Sequence, residues 1–272
     1  MGKYDSNIEK REEFQMNEKL LMETVALAGK IMLASGAEVY RVEETMRYML
    51  QKSNYLVAEA MALGTGLFVT LDDPNHETLT MARRVPVRSN NLNRICAVNE
   101  VSRKFCNGSL TVEEAYDELM VIENGKIYSG RWVFLGLIGV SAFFAPIFGG
   151  GLIDILGAGI VGVMLAIADW MVKKVKLNDF FNNAFCSFVI AIGATAVRKF
   201  LLPACSADVM IISSIMSLVP GVAFTTSIRD ILNGDYASGS ARMLEAVVVA
   251  LAIAAGVGLG LVSWGIFWRW IS

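Results

Sequence analysis

The sequence is poor in the residues that most enzymes use for chemistry. It has one histidine, His76, and four cysteines. Cys96, Cys106, Cys186 and Cys205 lie in four different segments, and no two have metal-ligand spacing. His76 sits in a polar turn beside Pro74, with no base–nucleophile partner in sequence. No glycine-rich phosphate loop or nucleophile elbow occurs. No catalytic residue, cofactor or metal is therefore expected. Net charge is −2 without a long basic run, which argues against a nucleic-acid partner. The N-terminus, MGKYDSNIEKREEF, lacks the apolar core of a signal peptide. Ser6 alone favours lipidation at Gly2.

Charge is also scarce in one half of the chain. Residues 1–130 hold 34 of the 50 Asp, Glu, Lys and Arg residues and residues 131–272 hold 16. The fold class expected is a soluble α+β N-terminal domain, residues 1–130, followed by an α-helical membrane domain, residues 131–272. Five spans are expected, at about 132–149, 152–172, 181–202, 208–228 and 243–264. Each approaches the roughly 20 apolar residues that cross a bilayer core. Gly149-Gly150-Gly151 reads as a hairpin between the first two. Lys173, Lys174 and Lys176 after the second span, with Arg229 and Arg242 between the last two, place those loops on the cytoplasmic side. Arg198 and Lys199 oppose that assignment. The C-terminus, with Trp264, Trp268 and Trp270 as interfacial anchors, then lies outside. Gly256/Gly260 and Ala158/Gly162 are small-residue pairs four apart, suited to close helix packing.

In the charged half, apolar spacing predicts helices over 18–34 and 37–52, the second with a Glu43–Arg47 pair. Val57–Met61 and Gly66–Leu71 read as strands, and 78–87 as a returning strand carrying Arg83, Arg84 and Arg88. Helices follow over 90–106 and from Thr111 to Asn124. Thr111 and Glu114 form a capping box, with Gly125 as C-cap.

The stretch from Leu218 to Ala250 carries the most chemistry. Pro220-Gly221 breaks an apolar run, since proline has no backbone N–H to continue a helix. Thr225, Thr226 and Ser227 follow, then a loop with Arg229, Asp230, Asp235 and Arg242, and Glu245 opens the next run. A broken helix leading into hydroxyls and charges suits a polar solute; a kinked structural helix with an ordinary loop accounts for the same spacing. Asp154, Asp169 and Glu245 are the carboxylates in or beside spans. Each is a candidate proton carrier, because burial raises a carboxyl pKa, and Asp169 and Glu245 are equally readable as interfacial residues. Arg229–Asp230 and Arg242–Glu245 are readable as structural pairs.

Four segments carry a family resemblance: SGAEVYRVEETM (35–46), GLFVTL (66–71), VNEVSRKFCNGSLTVEEAYDEL (98–119) and LVPGVAFTTSIRDILNGDYASGSARMLEA (218–246). The chain resembles the N-terminal half of the threonine/serine exporter family over about residues 18–262. The resemblance implies a cytoplasmic domain followed by five membrane helices in a bacterial inner membrane, with proton-driven export of a small polar metabolite. The substrate would be threonine, serine or a dicarboxylate such as succinate. The chain ends at Ser272 without a second set of membrane helices. It is thus similar to split members, in which a separate small membrane protein supplies the second half. Membrane lipid is an expected partner and a homo-oligomer is compatible. The substrate-pathway candidates are Pro220, Gly221, Thr225, Thr226, Arg229, Asp230, Asp235 and Arg242. A scaffold subunit without its own pathway is the rival reading. A membrane-anchored enzyme acting through residues 1–130 is a weaker one.

Overall fold

The computed structural model describes residues 2–53, 55–74, 77–85, 89–125, 129–175 and 178–271, with side chains from Asn17 to Trp270. His76, Arg88 and Lys176 lie outside the described residues. In chain order the elements are α1 (Gly2–Ala34), α2 (Val39–Leu50), β1 (Val57–Leu63), β2 (Gly66–Asp72), β3 (Leu79–Arg84), α3 (Leu92–Cys106) and α4 (Val112–Asn124). They continue with α5 (Gly130–Phe144), α6 (Leu152–Val175), α7 (Asp179–Ala196), α8 (Ala207–Ile215), α9 (Gly221–Leu232) and α10 (Tyr236–Ile271). Contacts divide the chain into two compact units. One comprises Met1–Ile127 with Val222–Met243, the other Tyr128–Gly221 with Leu244–Ser272.

The first unit is built around α1. That helix packs on α2, α3 and α4 and on strands β2 and β3. The faces of a helix that other elements cover need apolar residues. Accordingly Val25, Ala26, Ala28, Met32 and Leu33 are fully buried. The helix begins at Gly2, well before the expected residue 18. Apolar periodicity starts only at Leu20, and the run before it is helix-favouring without a patterned face. The strands form an antiparallel meander, β1-β2-β3, with Ala60 opposite Val69 and Val69 opposite Met81. β1 runs two residues past its expected end, and β3 is shorter than the expected 78–87. Alternation puts Leu67, Val69 and Leu71 inward and Phe68 outward. The capping box at Thr111 is complete: Glu114 N–H donates to the Thr111 hydroxyl (3.3 Å) and Thr111 N–H to the Glu114 carboxylate (2.9 Å). Gly125 closes α4 in an extended rather than a left-handed conformation.

Among the described residues, four helices are long and apolar enough to cross a membrane: Gly130–Phe148, Leu152–Val175, Asp179–Leu201 and Tyr236–Trp270, the last belonging to the second unit from Leu244 onward. They match four of the five expected spans. The fourth expected span, 208–228, is not one helix. α8 has nine residues, about 13 Å of helix, less than half a bilayer core. The chain then turns through 216–220 and restarts as α9 at Gly221, immediately after Pro220. The break predicted from Pro220-Gly221 is present, and it turns the expected span into two short helices. α8 packs against α5, α6 and α7.

Small residues set the helix spacing here. At Gly256 a Cβ would overlap the Ala184 carbonyl oxygen of α7, and at Gly260 it would lie 2.9 Å from the Phe188 carbonyl oxygen. At Gly258, on another face of α10, a Cβ meets open space. Gly256→Leu is therefore expected to lower the melting temperature of the detergent-solubilised protein by several degrees, and Gly258→Leu to leave it nearly unchanged. Equal melting of the two variants would show that α7 and α10 do not touch at Gly256.

Candidate functional site

Two of the segments that carry the family resemblance meet in the first unit. α1 ends in a turn at Gly36, with φ +86°, a region open to glycine without a Cβ penalty. Ala37 N–H donates to the Met32 carbonyl and Gly36 N–H to that of Leu33, closing a Schellman motif. α9 ends identically at Gly234, φ +90°, where Asp235 N–H donates to the Asp230 carbonyl and Gly234 N–H to that of Ile231. The two turns supply both sides of one polar cluster.

Three consecutive residues of the first turn are held. Arg242 Nη2 donates to the Ala37 carbonyl oxygen at 2.7 Å. Arg229 Nη1 donates to Glu38 Oε1 at 2.7 Å. Val39 N–H donates to Asp230 Oδ1 at 3.1 Å. Val39 opens α2, and its N-cap residue Glu38 makes no side-chain cap. Asp230 thus caps α2 from a distant helix, where the helix dipole favours negative charge. Arg242 Nη1 lies 3.4 Å from Asp230 Oδ2, and that oxygen accepts no hydrogen bond. The contact is a charge pairing at long range for a hydrogen bond. Arg242, Asp230 and Glu38 are 3%, 1% and 6% exposed, whereas the Arg229 side chain is 64% exposed.

Burial pushes the Glu38 carboxyl up, but the Arg229 hydrogen bond, with Glu38's own N–H and the charges of Arg41 and Arg229, outweighs it and holds the group below its ordinary 4.5. Burial pushes Asp230 up from 3.8. Arg242 and the Val39 N–H pull it back without cancelling the shift, and Asp235 and Glu38 add to it.

The structure places the remaining candidates separately. Asp235 precedes α10 and accepts from the Ser238 hydroxyl (3.3 Å), while its carbonyl takes the first intrahelical bond from Gly239 N–H (2.9 Å). It is the N-cap of α10. A Cβ at Gly239 would lie 2.8 Å from the Ser227 carbonyl oxygen, so glycine permits the close crossing of α10 over α9. Thr225 donates to the Val222 carbonyl at 3.1 Å and Thr226 to the same oxygen at 2.9 Å. Both hydroxyls are thus turned back onto the backbone of their own helix. In the second unit Asp154 accepts from Gly151 N–H (2.9 Å) and Ser206 N–H (2.7 Å), pinning the 149–151 turn to the segment before α8. Asp169 pairs with Lys173 at 2.5 Å on α6. Glu245 is exposed on α10.

Arg229 pairs with Glu38 and Arg242 with Asp230, partners that lie outside the neighbouring pairs offered by proximity. Sequence reading also passed over buried hydroxyls in the helical unit. Ser187 on α7 and Ser214 on α8 are buried with no partner for their Oγ among the described residues. Ser213 donates to the Met210 carbonyl and Ser217 to that of Ser214. The SSIMS run at 213–217 inside an apolar stretch was the available signal.

Arg242→Ala removes one partner of a buried pair, and the expected loss is about 3–5 kcal/mol. Replacing both Asp230 and Arg242 by leucine is expected to cost less than either single change, measured by thermal and denaturant unfolding of the full chain. Costs that simply add would show that the pair is uncoupled. Since the folded pKa of Glu38 is depressed, its contribution is present above 4.5 and is lost as pH falls through the folded value. Glu38→Gln should flatten the acid limb of the stability profile. Asp230 has the opposite sign: its contribution declines as pH rises from 3.8 through its raised folded pKa.

Comparison with known proteins supplies the family. The pattern described as "Putative threonine/serine exporter" matches residues 23–264. The chain is 21% identical over 248 residues to a Mycobacterium tuberculosis protein named "Probable threonine/serine exporter", covering 89% of this chain and 46% of that protein. It is 25% identical over 259 residues to the threonine/serine exporter of Corynebacterium glutamicum, covering 89% of this chain and 50% of the relative. An uncharacterised Schizosaccharomyces pombe protein is 24% identical over 180 residues, covering 64% of this chain and 22% of its own length. The chain therefore spans half or less of the length of these relatives. No solved structure matches it. With a family match across most of its length and four helices able to span a bilayer, the chain belongs to the threonine/serine exporter family of membrane proteins.

Proposed function

We propose that the chain forms one half of a secondary exporter for a small, carboxylate-bearing polar metabolite: threonine, serine or a dicarboxylate such as succinate. The observation that carries this reading is the family match over residues 23–264. In this reading the first unit is cytoplasmic, the C-terminus lies outside a bacterial inner membrane, the proton gradient drives export, and a separate membrane protein supplies the second half. Lys173 and Lys174 at the end of α6 support the orientation.

The cluster at Asp230 and Arg242 supports a positioning role for these residues. Arg242 is buried and occupied by Ala37 and Asp230, so it holds the turns and does not meet the solute. The solute is met by hydroxyls. Ser187 and Ser214 favour this assignment, because an unpartnered buried hydroxyl costs stability and a bound solute would supply the missing hydrogen bond. Asp154 and Asp169 both have polar partners, which favours structural over proton-carrying roles.

Efflux of labelled threonine, serine and succinate from cells carrying this chain, with and without a second-half protein and with the gradient intact or collapsed, tests the reading. Export that requires both chains and the gradient is expected. Export by the second-half protein alone would leave this chain a scaffold. Ser214→Ala separates the role of the hydroxyl from plain packing: it is expected to lower efflux several-fold while leaving stability equal or improved. Full efflux in Ser214→Ala and Ser187→Ala would remove both from the pathway.

A further inference from the structure

The first unit contains a half-enclosed cavity of about 230 Å³ between α1, β3 and α4, apart from the polar cluster described above. Drug-sized sites run from roughly 300 to 1,000 Å³, so this one suits a small metabolite. Its floor is apolar, formed by Leu27 of α1 and Met120 of α4. Its wall is fixed. Lys30 on α1 donates to Glu123 on α4 at 2.5 Å, and Arg94 Nη2 donates to the Glu123 and Gly125 carbonyls at 2.9 and 3.1 Å. A cation at the carbonyl end of a helix is favourably placed.

Three charged side chains at this cavity have no ion pair or hydrogen bond among the described residues: Glu23, Arg83 and Arg84. The register makes Arg83 unusual. It stands opposite Leu67, which is fully buried, so it lies on the sheet face that the helices cover. Arg83 is itself exposed at the margin of that face, and it lines the same cavity as Glu23 of α1.

We propose that this cavity binds a free α-amino acid. The guanidinium of Arg83, assisted by Arg84, takes the carboxylate, Glu23 takes the ammonium, and the side chain rests on Leu27 and Met120. A fork of N–H donors matches a carboxylate. A dicarboxylate or phosphate ester would satisfy the arginines but bring a second negative charge towards Glu23. A simple amine would leave both arginines unpaired. Only a zwitterion answers both signs of unpaired charge. The site belongs to the first unit and lies outside the helices read as spans, so it senses the ligand and does not conduct it.

Hydrogen exchange on the full chain in lipid nanodiscs tests this, with threonine and leucine as zwitterions, succinate as an anion without ammonium, and butylamine as a cation without carboxylate. Both amino acids are expected to slow exchange in residues 23–30, 79–85 and 116–124; succinate and butylamine at the same concentration are not. Glu23→Gln and Arg83→Gln should each raise the ligand concentration for half-protection by roughly tenfold to a hundredfold, the range for a charge-assisted hydrogen bond. Both positions are partly or fully exposed, so the fold tolerates the changes, and unaltered melting confirms it. Equal protection by succinate, no protection in these three segments, or unchanged titrations in both variants would overturn the proposal. The outcome is independent of the export reading: lost export with retained protection affects only that reading, and retained export without protection affects only this site.

Discussion

The arrangement of α1, α2, α9 and α10 depends on one buried ion pair. Asp230 and Arg242 lie almost wholly out of water, and neither is satisfied by the other alone. Asp230 also takes the first amide of α2, and Arg242 also takes the carbonyl that follows the α1 turn. Asp230 thus meets an amide left over at a helix start, and Arg242 a carbonyl of the connecting turn. Desolvating two charges is expensive, and mutual attraction repays it only when other hydrogen bonds complete the shell. Backbone groups from two turns complete it here. The glycines at 36 and 234 are the precondition, because each lets a helix stop with its last carbonyls occupied and its next residues turned into the cluster.

This explains which parts of the fold were legible in advance. The strands, α2, α3, α4 and the Thr111 capping box follow from local rules, and their positions agree with the structure to within a few residues. The start of α1 was missed because a polar helix has no apolar rhythm to announce it. The partners of Arg229 and Arg242 were not legible. Sequence proximity offers Asp230 and Glu245, but the hydrogen-bonded partners are Glu38 and Ala37, 191 and 205 residues away. Only the Schellman turns bring them within reach, and no periodicity encodes where two turns meet. In the structure these charges join turns and a helix start: Asp230 takes the Val39 amide and Arg242 the Ala37 carbonyl.

The same reasoning separates the carboxylates of the helical unit from its hydroxyls. Asp154 accepts two backbone N–H groups, from Gly151 and Ser206, so its charge is already engaged in joining two loops. Asp169 sits one turn from Lys173 near the end of α6 and is paired with it. Hydroxyls drew less notice because serine is small and common, and most serines in helices donate back to their own carbonyls. Ser213 and Ser217 do so; Ser187 and Ser214 do not. A polar group that forgoes the easy internal bond in an apolar bundle is more informative than a charge that has found one.

Pro220 gives the clearest case of a local rule with a non-local result. The missing N–H ends the run that began in α8, and the chain resumes at Gly221 as α9. Without that break, the residues from 207 to 232 would form one helix long enough to carry Thr226, Asp230 and the start of the loop along a single axis. With it, Val222–Met243 are free to pack with the N-terminal residues as part of the first unit, and the helical unit keeps only the short α8. The apolar content of 208–228 made it resemble a span, but hydropathy averages over a window and cannot register that the second part of the window has been turned toward another core. A proline one residue from a helix start outweighs the average, because a span needs continuous hydrogen bonding and an apolar composition only permits it.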